Sequence, residues 1–142
     1  MEGGKDGFMR YQLPAVLWAV LIFAVSSVPT LRTPYIGISF IDKIAHFFVF
    51  GIFGLLLARA FSNSAGWGIG RRAFSLALLF GVIWGGVDEI HQAFVPGRFC
   101  SIGDFVADGM GVVVALLILS ALPTVLRARA TGETGHREEM SR

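Results

Sequence analysis

Residues 73–94 read AFSLALLFGVIWGGVDEIHQAF. No charged residue interrupts this stretch before Asp88, and it has the length of a bilayer-crossing helix, about 17–25 residues. Its last part carries Asp88, Glu89, His91 and Gln92. Ionisable groups inside a span are costly to insert and point to function by default. One stretch therefore announces both a membrane span and a polar site within it.

Three more apolar runs of span length flank it, at 13–28, 44–61 and 102–126. The breaks between runs carry turn chemistry: Ser27-Val28-Pro29, Asn63-Ser64-Ala65-Gly66 and Val95-Pro96-Gly97. The expected fold is an all-α integral membrane protein, a compact four-helix bundle over 1–126. A polar, disordered tail over 127–142 is expected to follow. A signal peptide is the competing reading of the first run, with Lys5 and Arg10 before it and Ala24-Val25-Ser26 behind. Removing that run leaves three spans and puts the next segment on the wrong side of the charge rule.

Composition narrows the class further. Of 142 residues, 54% are apolar and only 15% charged, well below the quarter usual in soluble domains. Mean hydropathy is +0.67. A net charge of +2 is no nucleic-acid-binding face. Thirteen Phe and long apolar runs exclude disorder for most of the chain. The single cysteine, Cys100, excludes an internal disulfide and a Cys-based zinc site.

Basic residues orient the bundle. With a cytoplasmic N-terminus, the inner side holds Lys5, Arg10, Arg59, Arg71, Arg72, Arg127, Arg129, Arg137 and Arg142. The outer side holds only Arg32, Lys43 and Arg98. That bias places both termini in the cytoplasm and the segments 29–42 and 95–101 outside the cell membrane.

Apart from the tails, the acids are Asp42, Asp88, Glu89, Asp104 and Asp108, all near the expected outer face. Asp88 and Glu89 lie about six residues below the end of their span, on the order of 9 Å down. Asp42/His46, Asp88/Gln92 and Asp104/Asp108 are each spaced i, i+4, which puts both members on one helix face. The third span extends its pair into the stripe Gly81, Gly85, Asp88, Gln92, and the fourth into Asp104, Asp108, Gly111, Ala115. Small residues allow close helix approach, so the two stripes are expected to face each other beneath a polar pocket. The Gly81/Gly85 pair is read as packing within the chain rather than as a dimer seam.

Each polar residue also has a plainer reading. Asp42 suits a helix N-terminus. Ser101-Ile102-Gly103-Asp104 fits a capping box. Lys43 serves as an interfacial anchor or as partner to an acid. His46 alone fits a satisfied interior histidine. Glu89 projects about 100° from Asp88, so at most one of the two is expected in a single pocket. His91 falls on the flank, and Trp18, Trp67 and Trp84 are ordinary membrane aromatics. Arg98 follows a Pro-Gly turn; it either pairs with Asp88, Glu89 or Asp104 or clamps an anion in its fork.

These residues resemble the VanZ-like family. The match runs through Ser26-Ser27-Val28-Pro29, then Asp42-Lys43-Ile44-Ala45-His46-Phe47, and is strongest over Asp88-Glu89-Ile90-His91-Gln92-Ala93-Phe94-Val95-Pro96-Gly97-Arg98. Ser101, Asp104, Asp108 and Gly111 follow at the family's spacing, although many members carry Asn where this chain has Asp108. The resemblance covers about 15–118. It implies a small bacterial or archaeal multi-span membrane protein. The namesake is associated with low-level resistance to the glycopeptide teicoplanin. Biochemical activity in the family is generally unassigned.

Three functional readings compete. The first is an enzyme acting on a lipid-linked phosphate or cell-wall precursor at the outer leaflet. His46, Asp88, Asp104 and Asp108 are its catalytic candidates, and Arg98, Lys43, Gln92, Glu89 and Ser101 its ligand-binding candidates. Asp42, His46, Asp88 and Asp108 are candidate ligands for a divalent cation, since carboxylates with an imidazole suit Mg²⁺, Mn²⁺ or Zn²⁺. The second is a binding or accessory module using the same pocket without turnover. The third, a proton-coupled carrier, has little room in four short spans without a homo-oligomer, and no inverted repeat is visible. The bilayer itself is the partner common to all three.

The orientation is directly testable. A membrane-impermeant thiol reagent added to intact cells is expected to label Cys100. Labelling that appears only after permeabilisation, with normal labelling of denatured protein, reverses the topology.

Overall fold

The computed structural model describes residues 7–29, 38–64 and 70–121. Among them the architecture is helical throughout, with four helices long and apolar enough to cross a membrane. They are α1 (Leu13–Ser26), α2 (Ile38–Ser64), α3 (Arg71–Gln92) and α4 (Ile102–Ala121). The predicted end of the fourth span, the tail 127–142 and Trp67 lie outside the described residues.

The boundaries differ from expectation at two helix starts. A π-helical turn, Phe8–Gln12, runs directly into α1, so the first span begins at Phe8. Pro14 sits in the first turn of α1. A proline there lacks the N–H that the preceding turn would bond, which suits a wider turn before it. Helix α2 starts at Ile38, one turn before Asp42, because nothing in Ile38-Ser39-Phe40-Ile41 breaks a helix. Asp42 thus lies within the helix and does not open it.

The core sits between α2, α3 and α4. Phe50, Leu116 and Val112 are its largest fully buried apolar side chains, with Phe53 and Ala77 packed around them. Helix α1 is peripheral. Only 11% of its spanning window is buried, against 33% to 39% for the other three. Its outer face, with Leu17, Val20 and Phe23 exposed, has the character of a lipid-facing surface. Trp18 ties it to α2 by donating from Nε1 to the Val49 carbonyl at 3.0 Å.

Glycine sets how closely the helices meet. A Cβ on Gly81 would lie 2.9 Å from Val112 Cγ2, and one on Gly85 would lie 3.1 Å from Asp108 Cβ. The α3 stripe therefore does pack on α4, within the chain. The α4 stripe, however, turns elsewhere. A Cβ on Gly111 would overlap the Phe47 carbonyl of α2, and Gly51 of α2 faces Gly111 and Ala115. The tightest seam is α2 against α4, with Gly51 and Gly54 meeting Gly111 and Val112. Spacing fixes which residues share a face, but it leaves the choice of partner helix open.

Arg10 and Arg59 both lie over the Tyr11 ring, at 5.6 and 5.4 Å from its centroid. These basic groups occupy the end of the bundle opposite the polar residues of α3 and α4.

A side chain at Gly111 must push α2 away from α4. Gly111→Ala is expected to cost about 2 kcal/mol or more in the unfolding free energy of the protein in detergent. Gly109, two residues away with open space around it, is the control; Gly109→Ala is expected to be neutral or slightly stabilising.

Candidate functional site

All four helices send polar side chains into one layer at the end of the bundle away from Tyr11. Helix α2 contributes Asp42, Lys43 and His46. Asp108 of α4 is fully buried and its Oδ1 lies 2.9 Å from His46 Nδ1. The His46 ring stacks parallel above Phe50, with centroids 6.4 Å apart, so an aromatic floor closes the layer from below. Gly85 on α3 leaves room for the Asp108 carboxylate.

Asp104 departs from the capping-box reading. Ser101 Oγ accepts the Asp104 backbone N–H at 3.3 Å, so Ser101 caps the helix as expected. The reciprocal bond is supplied by another helix: the Ser101 backbone N–H donates to Glu89 Oε2 at 2.6 Å. That releases the Asp104 carboxylate, which pairs with Lys43 Nζ at 2.8 Å. The Lys43 stem crosses α4 at Gly103, where a Cβ would lie only 2.6 Å from Lys43 Cε.

Asp88 and Glu89 are both buried, at 2% and 3% exposure, and only Asp88 lines the cavity described below. The reason is that α3 is flanked on two sides. Asp88 turns towards α1, its Oδ2 accepting from Gln92 Nε2 at 2.8 Å, while Gln92 Nε2 also reaches Ser26 Oγ at 3.4 Å. Glu89 turns towards the start of α4, with one more methylene to reach Ser101.

Arg98 takes neither expected role in full. Val95-Pro96-Gly97-Arg98 forms a tight turn, with the Arg98 N–H bonded to the Val95 carbonyl and Gly97 at φ 78°, as a type II turn requires. Among the described residues Arg98 pairs with no carboxylate. Its Nε donates to the Val28 carbonyl and its Nη2 to the Val25 carbonyl, each at 3.2 Å. A guanidinium on the last carbonyls of α1 also complements that helix's negative end. Arg98 also lines the cavity described next.

A cavity of about 210 Å³ lies between α1, α2 and α3. Trp18, Leu21, Ile22 and Val25 make one apolar wall, and Val49 and Phe50 face them. Asp42, His46, Asp88 and Arg98 make its polar end. From Trp18 to Ser26 the wall extends roughly 12 Å along α1.

Spacing alone missed three residues of this layer. Ser26 meets Gln92, and Ser27 Oγ lies 2.9 Å from His91 Nε2 while donating to the Phe23 carbonyl at 2.7 Å. His91 also stacks on Phe23 with centroids 4.1 Å apart. The Ser-Ser pair before Pro29 was the available signal, but it reads equally as a turn.

Five carboxylates share the layer with Lys43, Arg98 and His46. Three of their buried oxygens, Asp88 Oδ1, Glu89 Oε1 and Asp108 Oδ2, have no hydrogen-bond partner among the described residues. Two sets converge to within 4.8 Å: Asp42, His46 and Asp104, and His46, Glu89 and Asp108. Asp88 belongs to neither, and Asp42 and Asp108 fall in different sets that share His46.

The Ser101–Glu89 bond can be isolated by substitution. Glu89→Ala strands the N–H at the start of α4 and is expected to cost about 1–3 kcal/mol in thermal or denaturant unfolding. Glu89→Gln keeps an acceptor there and is expected to cost less than about 1 kcal/mol.

Comparison with curated proteins and with solved structures gave no match. The polar layer is nonetheless assembled from the stretches around Ser26, Asp42, Asp88 and Asp104, and a single family model spans them all. That model, VanZ/LLP1, matches residues 7–124, and the chain belongs to the VanZ/LLP1 family.

Proposed function

We propose that this multi-pass protein binds and hydrolyses a phosphate-bearing lipid or lipid-linked envelope precursor from the outer leaflet of the cytoplasmic membrane. The observation that carries the reading is the cavity between α1 and α2. It is apolar along the depth of the membrane and polar at one end. A lipid has the same division. At about 210 Å³ the cavity is smaller than the several hundred Å³ of a drug-sized pocket, so it suits a head group with its first methylenes while the chains remain in the bilayer.

The nine-to-three distribution of basic residues supports the outer placement. So does the separation of Arg10 and Arg59 from the polar layer. A site facing envelope precursors is also in keeping with the link between the family's namesake and glycopeptide resistance.

The chemistry follows from the residues lining the polar end. Arg98 offers its remaining donors to a phosphate. His46, held through Nδ1 by buried Asp108, is an oriented imidazole at the cavity wall, suited to activating a water. In hydrolysis the water oxygen bonds to phosphorus and the bond from phosphorus to the lipid oxygen breaks. The proton released by the water passes through the pocket acids to the leaving oxygen. A binding module without turnover uses the same cavity and differs only in this last step.

The test uses purified protein in lipid nanodiscs with phosphatidic acid and a polyprenyl phosphate as probes. Wild-type protein is expected to bind one of them and to release inorganic phosphate. Arg98→Ala is expected to weaken binding about tenfold, or roughly 1.4 kcal/mol. His46→Ala is expected to retain binding and lose turnover by about a hundredfold or more. Binding without phosphate release by the wild type leaves the module reading in place of the enzyme. Failure to bind either probe removes the lipid-phosphate reading.

A further inference from the structure

The geometry points to a divalent transition-metal site, zinc foremost, held by His46, Glu89 and Asp108. The inference rests on the proposed hydrolysis only for the ion's task there: with an ion bound, His46 would serve as a ligand, and the ion rather than the free imidazole would activate the water.

An acid-rich cluster alone does not make a metal site, because carboxylates also pair with lysine or cap helices. Here the paired and unpaired oxygens separate the two convergent sets. In the set of Asp42, His46 and Asp104, Asp104 is already neutralised by Lys43 at 2.8 Å, and Asp42 is only half-buried. In the set of His46, Glu89 and Asp108, both acids are buried to within 3% of full enclosure. Each keeps one oxygen without a partner, Glu89 Oε1 and Asp108 Oδ2. Leaving a buried carboxylate oxygen unsatisfied costs about 1–3 kcal/mol, more when it is charged. Two such oxygens beside one imidazole leave room for a cation, and no lysine or arginine belongs to this set.

The donor chemistry selects the ion. One imidazole nitrogen with two carboxylates, on three different helices, is a mixed N/O set that suits zinc or manganese better than magnesium or calcium. Three protein ligands leave a position open to water, as catalytic zinc sites do. The ligand atoms lie within 4.8 Å of one another, and ligands about 2.0–2.2 Å from an ion sit closer than that. Binding would require the three side chains to draw together by rotation. The other oxygens are already fixed: Glu89 Oε2 holds the Ser101 N–H, and Asp108 Oδ1 holds His46. Such outer bonds orient the ligating atoms and limit their freedom.

The test is metal binding by the full chain in detergent, stripped with chelator and then titrated calorimetrically with zinc, manganese or magnesium chloride. Bound metal is counted by elemental mass spectrometry. One zinc per chain is expected, bound at least about tenfold more tightly than magnesium. His46→Ala and Glu89→Gln are each expected to lower zinc affinity about tenfold or more. Glu89→Gln retains the acceptor for Ser101, so it carries the test if His46→Ala fails to fold. Asp42→Asn, from the other set, is expected to change the affinity less than about twofold. The proposal is overturned by a wild type without saturable zinc binding, or by a Glu89→Gln protein that binds as tightly as wild type. An equal loss in Asp42→Asn overturns it too, by moving the ion to the other set. Stoichiometric zinc without lipid-phosphate release leaves the site standing and removes the hydrolase. Phosphate release that survives metal stripping and Glu89→Gln does the reverse.

Discussion

The contact between Asp108 and His46 organises the rest of the molecule. A carboxylate with no exposure to water survives in a membrane helix only if a partner reaches it, and the partner comes from the neighbouring helix. The short side chains of Asp and His require α2 and α4 to run close together. Glycine makes that approach possible: Gly51 and Gly54 on one side, Gly111 on the other, and Gly85 opening the α3 face beside the carboxylate. The polar layer and the small-residue seam are therefore one constraint. A larger residue in the seam would separate the donor from the acceptor above it.

The same low-dielectric setting explains why helix ends in this layer are satisfied across helices. The first turn of α4 gets its hydroxyl cap locally from Ser101 but its carboxylate from Glu89 of α3. The last carbonyls of α1 are met by Arg98, which lies beyond α3. Each exchange satisfies a backbone group and also fixes a neighbouring element. Asp104, released from its own cap, is free to pair with Lys43. The result is a cross-linked layer in which most bonds join different elements, above a core that is almost wholly apolar.

Much of this was legible from the chain. The four spans follow from uninterrupted apolar runs, and the i, i+4 pairs do mark the inward faces of α2, α3 and α4. The turn at Val95-Pro96-Gly97-Arg98 follows from proline and glycine chemistry. What periodicity lacks is the identity of the facing helix. Gly111 and Ala115 share a face with Asp108, yet they seat on α2 rather than α3. Burial of Glu89 beside Asp88 was illegible for a related reason: a helix flanked on both sides buries two adjacent residues. The carbonyl partners of Arg98 were illegible because carboxylates are visible in a sequence, whereas unsatisfied carbonyls at a helix end are not. Ser26, Ser27 and His91 form their contacts across more than sixty residues of chain, beyond the reach of local spacing.

The peripheral position of α1 connects the fold to access. This helix buries the least of its surface, and its described polar ties lie at Trp18 and at its Ser26–Val28 end. Between those ties its contact with α2 is apolar, and there the cavity lies. Side chains such as Leu21 and Val25 lose little by exchanging contact with α2 for contact with an acyl chain, since both are apolar. The polar ties hold the middle and the Ser26 end of α1, and the apolar stretch between them lines the cavity. In the proposed function, a head group that entered along this wall would reach His46 and Asp88 away from the α2–α4 glycine seam.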